Sequence, residues 1–268
     1  SCGTSTAASL PCMFAKEGRS DYHSGSYEEN LLDVLQRAGL AVLWIDNQSG
    51  CKGVCARVPS VSTTASKDSA YCAGGECMDA IMISRLDAEI AKLPAERRAK
   101  GVVVVLHQMG SHGPAYFKRS PPAQKIFQPE CSSNTLQDCQ RQSLLNAYDN
   151  SIVYTDFVLN AAIAWLQSHA ATARGALLYV SDHGESLGEN NLYLHGLPYA
   201  VAPEYQKHVP WIAWQAPDFG ISATCLQARK NQALSHDHLF HTVLGLMDVR
   251  TALYQAAWDA YAACSSPQ

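Results

Sequence analysis

The sequence predicts an α/β domain with a mainly parallel central sheet covered on both faces. Three observations predict it. Leu40 to Ile45, Gly101 to Leu106 and Ala176 to Val180 are short apolar runs without alternating polar residues, as strands buried on both faces read. Segments with apolar residues at helical spacing lie between those runs. Each run spills into a loop bearing Lys, His, Asp or Glu, where open parallel sheets gather their functional residues. With 268 residues and 47% hydrophobic content, the chain can bury about three quarters of its unfolded surface in one domain, residues 1–268.

The opening "SCGTSTAASLPCMF" reads as a hydroxyl-rich turn pinned by Cys2 and Cys12, with small residues after Thr6 that suit a helix start. Ser26 and Glu29 form a capping-box pattern, Tyr27, Leu31, Leu35 and Ala38 follow at helical spacing, and Gly39 supplies the stop. The run Leu40 to Ile45 then gives way to the polar loop "DNQSGCKGVC". Met78, Met82, Leu86, Ile90 and Leu93 make the next helical stripe, closed by Pro94. "GVVVVLHQMGSHGPAY" is a strand running into histidines, and Ser111 to Pro129 is a turn-rich loop within the domain. Tyr148, Ile152, Leu159, Ile163 and Leu166 mark a long helix leading to the third strand and "SDHGESLGE". "VPWIAW" reads as a further strand, and Ser235 as the cap of a last helix carrying Leu239, Val243 and Leu246.

A net charge of -4 with scattered Lys and Arg gives no footprint for nucleic acid. No apolar run approaches the ~18 residues of a membrane span, so the chain is expected to be soluble as written. It opens at Ser1 without an initiator Met and is expected to be part of something longer. The ten cysteines fall in close sequence pairs, Cys2 and Cys12, Cys51 and Cys55, Cys72 and Cys77, Cys131 and Cys139. Cys225 and Cys264 are left as the fifth expected pair. Such local pairing points to disulfides in an oxidising compartment. A four-thiolate zinc site at Cys51, Cys55, Cys72 and Cys77 is the rival, with looser spacings than usual.

Lys52, His107, His112, Asp182, His183 and Glu185 all fall at strand ends, with His195 shortly after, so they can converge on one point. Neutral imidazoles and carboxylates are ligands zinc prefers, and Glu185 can instead hold a ligand from behind. No G-x-S-x-G, H-E-x-x-H or phosphate-binding G-x-x-x-x-G-K-[ST] pattern is present. In the first turn, Thr4, Ser5 and Thr6 either offer an oxygen at the positive end of a helix dipole or merely cap that helix. The residues alone do not choose. His236, His238 and His241 near the last helix read as exposed and structural, as do His23, His169 and His208.

The ordered segments "SCGTSTAASLPCMF", "GCKGVC", "HQMGSHGPAY", "YDNSIVYTD", "SDHGESLGEN" with "YLHGLPYA", and "LFHTVLGLMDV" resemble the phosphoethanolamine transferases that modify lipid A, including the mobilised colistin resistance enzymes. The resemblance spans nearly the whole chain. "SDHGES" alone indicates only the wider alkaline phosphatase and sulfatase superfamily. The resemblance implies an alkaline-phosphatase-like α/β/α sandwich, a monomer on the periplasmic face of a Gram-negative inner membrane, tethered through an N-terminal membrane domain outside this chain. It implies Thr6 as nucleophile and Zn2+ held by Thr6, Asp182 and His183. His112 and His195 correspond to a second cluster that binds further zinc or the transferred phosphate. Lys52 and Glu185, with Ser49 and His107 beside them, match positions associated with the phosphoethanolamine group. A further zinc ligand, a glutamate in a Gly-Glu-Thr motif at the end of a first strand, is expected upstream of Ser1.

The implied reaction moves phosphoethanolamine from phosphatidylethanolamine to Thr6 and then to a lipid A phosphate, and it carries polymyxin resistance with it. The runner-up is another enzyme of the superfamily, a phosphodiesterase or phosphoglycerol transferase. From a different class comes a disulfide-braced module that binds zinc or lipid headgroups without turnover.

Overall fold

The structure, a computed structural model, describes residues 1–23 and 29–265. Helix α1 (Thr6–Met13) follows the first turn, and α2 (Leu31–Arg37) leads to strand β1 (Ala41–Asp46). Short strands β2 (Ser60–Ser62), β3 (Cys72–Ala73) and β4 (Glu76–Cys77) precede α3 (Ala80–Ala91), α4 (Ala95–Arg98) and β5 (Val102–His107). The long α5 (Arg141–Ser168) returns to β6 (Ala176–Val180). Beyond it come β7 (Ser186–Leu187), β8 (Tyr193–Leu194), β9 (Trp211–Gln215), α6 (Ala223–Ala228) and α7 (Asp237–Leu246).

Strands β2, β1 and β5 pair in that order and all run parallel. Every residue of β1 is buried, and its alternate side chains serve two cores. Val42 and Trp44 join Leu10 of α1, Phe14 at its C-terminal end, Leu35 of α2 and Phe240 of α7. Ala41, Leu43 and Ile45 face Ile81, Met82 and Leu86 of α3, with Trp165 of α5 on the same side. This is the expected α/β/α layering.

Two expectations need correction. β6 pairs with β9 antiparallel, as a separate ribbon, because an unbroken apolar run reports burial and not the direction of its partner. The last helix starts at Asp237, and the Ser235 side chain meets His238 Nδ1 at 3.3 Å instead of capping the backbone. Ser26 lies outside the described residues. The described helix α2 starts one turn later than the Ser26–Glu29 pattern places it, at a different box. Asn30 accepts from the Leu32 N–H at 2.9 Å, and Asp33 accepts from the Asn30 N–H at 2.8 Å. Arg57 clamps the same Asp33 through two hydrogen bonds.

The two strand groups face each other across a cleft of about 1770 Å³ lined by Val103, Val105, Leu178 and Val180 among others. The consequence is visible in burial: β5 and β6 are half-buried at every position although, His107 apart, both are apolar or aromatic, whereas β1 is buried everywhere. Accessible surface is likewise 13813 Å², against about 11,400 Å² for a closed monomer of this mass. All five expected disulfides are present, including Cys225–Cys264, and no cysteine is free, which removes the four-thiolate alternative. No helix among the described residues is long and apolar enough to cross a membrane.

Candidate active site

Thr6 is the first residue of α1, directly after the N-cap Ser5. The capping reading fails for all three hydroxyls. Thr4 Oγ1 donates to Leu197 O at 2.6 Å, Ser5 makes no side-chain cap, and Thr6 Oγ1 lies 3.3 Å from His183 Nε2. Gln48, in the loop after β1, places its Nε2 3.3 Å from the same Thr6 oxygen. Thr6 is buried, so its hydroxyl is held between a ring nitrogen and an amide at the positive end of a helix.

The loop after β6 is set against α1 by a polar knot. Ser9 Oγ donates to Asp182 O and accepts from the Gly3 N–H. His236 accepts from the Cys2 N–H at Nδ1 (3.0 Å) and donates from Nε2 to Ser181 O (2.9 Å). Burial lowers its pKa to about 4, which keeps the ring neutral. His236 and His241 are thus buried, at 2% exposure each, not exposed as the sequence implied. His236 reaches the strand-end loop although no strand delivers it.

His112, His183 and His195 each offer one ring nitrogen, and the three lie within 4.8 Å of one another. The tautomers follow from the partners. Nδ1 of His112 faces Gly113 O (2.7 Å), Nδ1 of His183 faces Gly184 O (3.0 Å), and Nδ1 of His195 faces Glu185 Oε1 (3.0 Å). All three partners only accept, so each Nδ1 carries the proton and each Nε2 keeps a bare lone pair. Burial lowers the His112 pKa. In His195 burial acts the same way, but the hydrogen bond and charge of Glu185 outweigh it and raise the pKa.

Beside the cluster, Asp182 Oδ2 is buried without a hydrogen-bond partner among the described residues, 3.6 Å from His183 Nε2. An orphaned carboxylate oxygen is costly unless something cationic meets it. Bare imidazole nitrogens, an orphaned carboxylate and a hydroxyl oxygen make a donor set that fits zinc. The sequence divided Thr6, Asp182 and His183 from His112 and His195; the structure joins them through His183.

The other expected residues sit further out. Glu185 accepts at three points, from Gly113 N–H, Tyr116 Oη and His195 Nδ1. His107 lines the same cleft but is bound to Asp46 Oδ2 at 2.9 Å and packs edge-on to Trp44. Lys52 Nζ turns back to Ser49 O (2.7 Å) and Ser49 Oγ (2.6 Å), and Ser49 Oγ in turn meets Gln48 Oε1. The loop bearing His112 is fixed by Asp79, which accepts from Met109 and Gly110 N–H groups and from Asn47 Nδ2. Gln48, Asp79 and Tyr116 escaped the sequence reading; Gln48 and Tyr116 carried a signal, their place in the segments that follow strands, and Asp79 carried none.

Residues 1–249 match the sulfatase family. The chain belongs to that family. Phosphoethanolamine transferase EptA of Salmonella typhimurium is 45% identical over 98% of this chain and 49% of its own length. Phosphatidylethanolamine transferase Mcr-1 of Escherichia coli is 43% identical over 93% of this chain and 46% of its own. The soluble domain of lipooligosaccharide phosphoethanolamine transferase A from Neisseria meningitidis superposes with a TM-score of 0.94 at 43% identity, covering 100% of this chain and 80% of that one. The structure of that transferase as an integral membrane protein is covered to 50%. This sulfatase-family chain therefore spans about half the length of the curated relatives it matches.

Proposed function

We propose that this chain is the catalytic domain of a zinc-dependent phosphoethanolamine transferase that takes its group from phosphatidylethanolamine and passes it to a lipid A phosphate, conferring colistin resistance. The observation that carries the reading is Thr6. Its Oγ1 stands at a helix start, 3.3 Å from His183 Nε2, beside three bare imidazole nitrogens and an orphaned carboxylate oxygen. Relatives named as phosphoethanolamine transferases at 43–45% identity support the group transferred.

Zinc held by Thr6, Asp182 and His183, with His112 and His195 alongside, would supply Lewis-acid chemistry and neutralise phosphoryl charge. Thr6 Oγ attacks phosphorus; the bond from phosphorus to the diacylglycerol oxygen breaks as the bond to Oγ forms. The bare Nε2 of His112 or His195 takes up the proton released from the Thr6 hydroxyl and then gives it to the departing oxygen. N–H groups at the start of α1 and the Gln48 amide face the developing negative charge. A lipid A phosphate oxygen then attacks the same phosphorus and frees Thr6. Lys52 and Ser49 bind the headgroup's phosphate, and Glu185 offers its remaining lone pair to the ammonium. This domain lies on the periplasmic face of a Gram-negative inner membrane, tethered through a membrane domain that precedes it. A strand from that upstream segment fills the cleft between β5 and β6.

The test is Thr6→Ala in the full-length protein, read by mass spectrometry of lipid A and of the Thr6 peptide. Loss of both the lipid A increment and the peptide adduct is expected, with melting unchanged. Full transfer by the variant overturns the reading; transfer of another group by the parent favours the phosphodiesterase or phosphoglycerol reading.

A further inference from the structure

We infer that Tyr116 is a positioning residue of the three-histidine cluster, its hydroxyl fixing the Glu185 carboxylate and, through it, the tautomer and direction of His195. The inference rests on reading that cluster as a metal centre and deepens it. Tyr116 is 1% exposed and opens a short 3-10 turn, Tyr116–Lys118. Leu136, Leu144, Ala147 and Leu187 pack around it, and Tyr148 meets its ring edge-on at 5.5 Å. The ring is therefore closely packed, and its hydroxyl makes one hydrogen bond, to Glu185.

That atom donates to Glu185 Oε2 at 3.1 Å, while Glu185 Oε1 accepts from the Gly113 N–H (3.1 Å) and from His195 Nδ1 (3.0 Å). Three donors hold the carboxylate, so it cannot rotate without stranding a buried partner. Burial first, and the Glu185 charge second, push the phenol's pKa far up, so Tyr116 remains a donor. Gly113 is the second, independent sign that the arrangement is built. A Cβ there would lie 2.5 Å from Leu194 Cδ2 and 2.7 Å from Tyr116 Oη, so only glycine lets its N–H reach the carboxylate beside that hydroxyl. Carboxylates behind ligating imidazoles fix the ring and raise its basicity, and losing such partners typically weakens metal binding about 10- to 100-fold.

The test uses the full-length protein as parent, Tyr116→Phe, Glu185→Gln and the double variant, with zinc affinity read by chelator competition. Phe keeps the ring and its packing, so only the hydroxyl is removed. Tyr116→Phe is expected to weaken zinc about tenfold and to add nothing once Glu185→Gln is present, because both act through one carboxylate. Nitrogen-15 spectra of the metal-free protein are expected to show His195 protonated at Nδ1 in the parent and as a tautomer mixture in Tyr116→Phe. Unchanged zinc affinity in Tyr116→Phe, or a loss that multiplies with Glu185→Gln, overturns the inference. A parent that binds no zinc overturns the metal-centre reading, and the tautomer spectra then decide Tyr116 alone.

Discussion

Asp46, at the end of β1, makes a sharp prediction about acid stability. Its Oδ2 accepts from Trp44 Nε1 (3.0 Å) and His107 Nδ1 (2.9 Å), and its Oδ1 accepts from the Gln48 and Gly50 N–H groups (2.9 and 3.1 Å). Burial alone raises the pKa of this carboxyl, but the hydrogen bonds from His107 and Trp44 and the nearby charge of His107 outweigh it and hold the value at about 2, down from 3.8. A depressed folded-state pKa contributes stability that is complete above the unfolded value and is lost as pH falls through the folded one. The shift corresponds to about 2 kcal/mol at neutral pH, at about 1.4 kcal/mol per unit. Asp46→Asn cannot carry this term. It also sets an amide N–H2 against buried donors, a pH-independent cost of roughly 1–3 kcal/mol. Urea denaturation of both proteins with disulfides intact should show a gap that is widest near neutrality. Between about pH 5 and pH 2 it should shrink by about 2 kcal/mol. A gap that stays constant across that window, or widens towards acid, would refute the reasoning.

Three further outcomes are expected. In Gly184→Ala a Cβ would sit 2.1 Å from the carbonyl oxygen of Tyr205, backbone that cannot yield; melting should fall by the equivalent of more than about 1–3 kcal/mol, and transfer should be lost with it. Removing Cys225–Cys264, which spans 39 residues, should cost about 4 kcal/mol, against about 2 for Cys51–Cys55, which spans 4; equal losses in urea unfolding would contradict the loop-entropy account. A longer version of the protein that supplies a strand to the cleft should melt higher and bind less of a hydrophobic dye than residues 1–268 alone; identical dye binding would refute strand insertion.

The fold was legible where burial imposes a pattern. β1, β5 and β6 read as strands because short, unbroken apolar runs between helical stripes are what a sheet covered on both faces demands. The partner of β6 did not, since period carries no direction. Strands β2, β3, β4, β7 and β8 span two or three residues, too few to form a pattern. Asn30–Asp33 and Ser26–Glu29 read alike as sequence; among the described residues the Asn30 box is supported from far along the chain, by the Arg57 clamp on Asp33 and by the bond from Asn30 Nδ2 to Val54 O. The chemistry was legible as residue types at strand ends, while its orientation was not. Gln48 is one amide in a polar turn, and Tyr116 is one aromatic in an irregular loop. What gives each a role is a partner far along the chain, at Thr6 and at Glu185. His236 was misjudged for the same reason: its burial comes from Cys2 and Ser181, more than fifty residues distant in either case.

The divided sheet raises the question of how the site stays assembled across a cleft that separates β5 from β6. The answer lies in hydrogen bonds between loops. On one side, Asn47 donates its N–H to His107 O, and Asp79 gathers Asn47, Met109 and Gly110, so the loops after β1 and β5 move together. On the other side, Ser9 and His236 fasten α1 to the loop after β6, and Thr4 holds Leu197 through its hydroxyl and Gly196 through its carbonyl. Glu185, accepting from Gly113 and from His195, bridges the two groups. Each fastening is a buried polar contact, which costs more to break than it contributes when made. The site can therefore hold its geometry at the rim while apolar strand edges below it remain open, and a strand entering the cleft would add stability without first having to rearrange Thr6, Asp182 or the histidines.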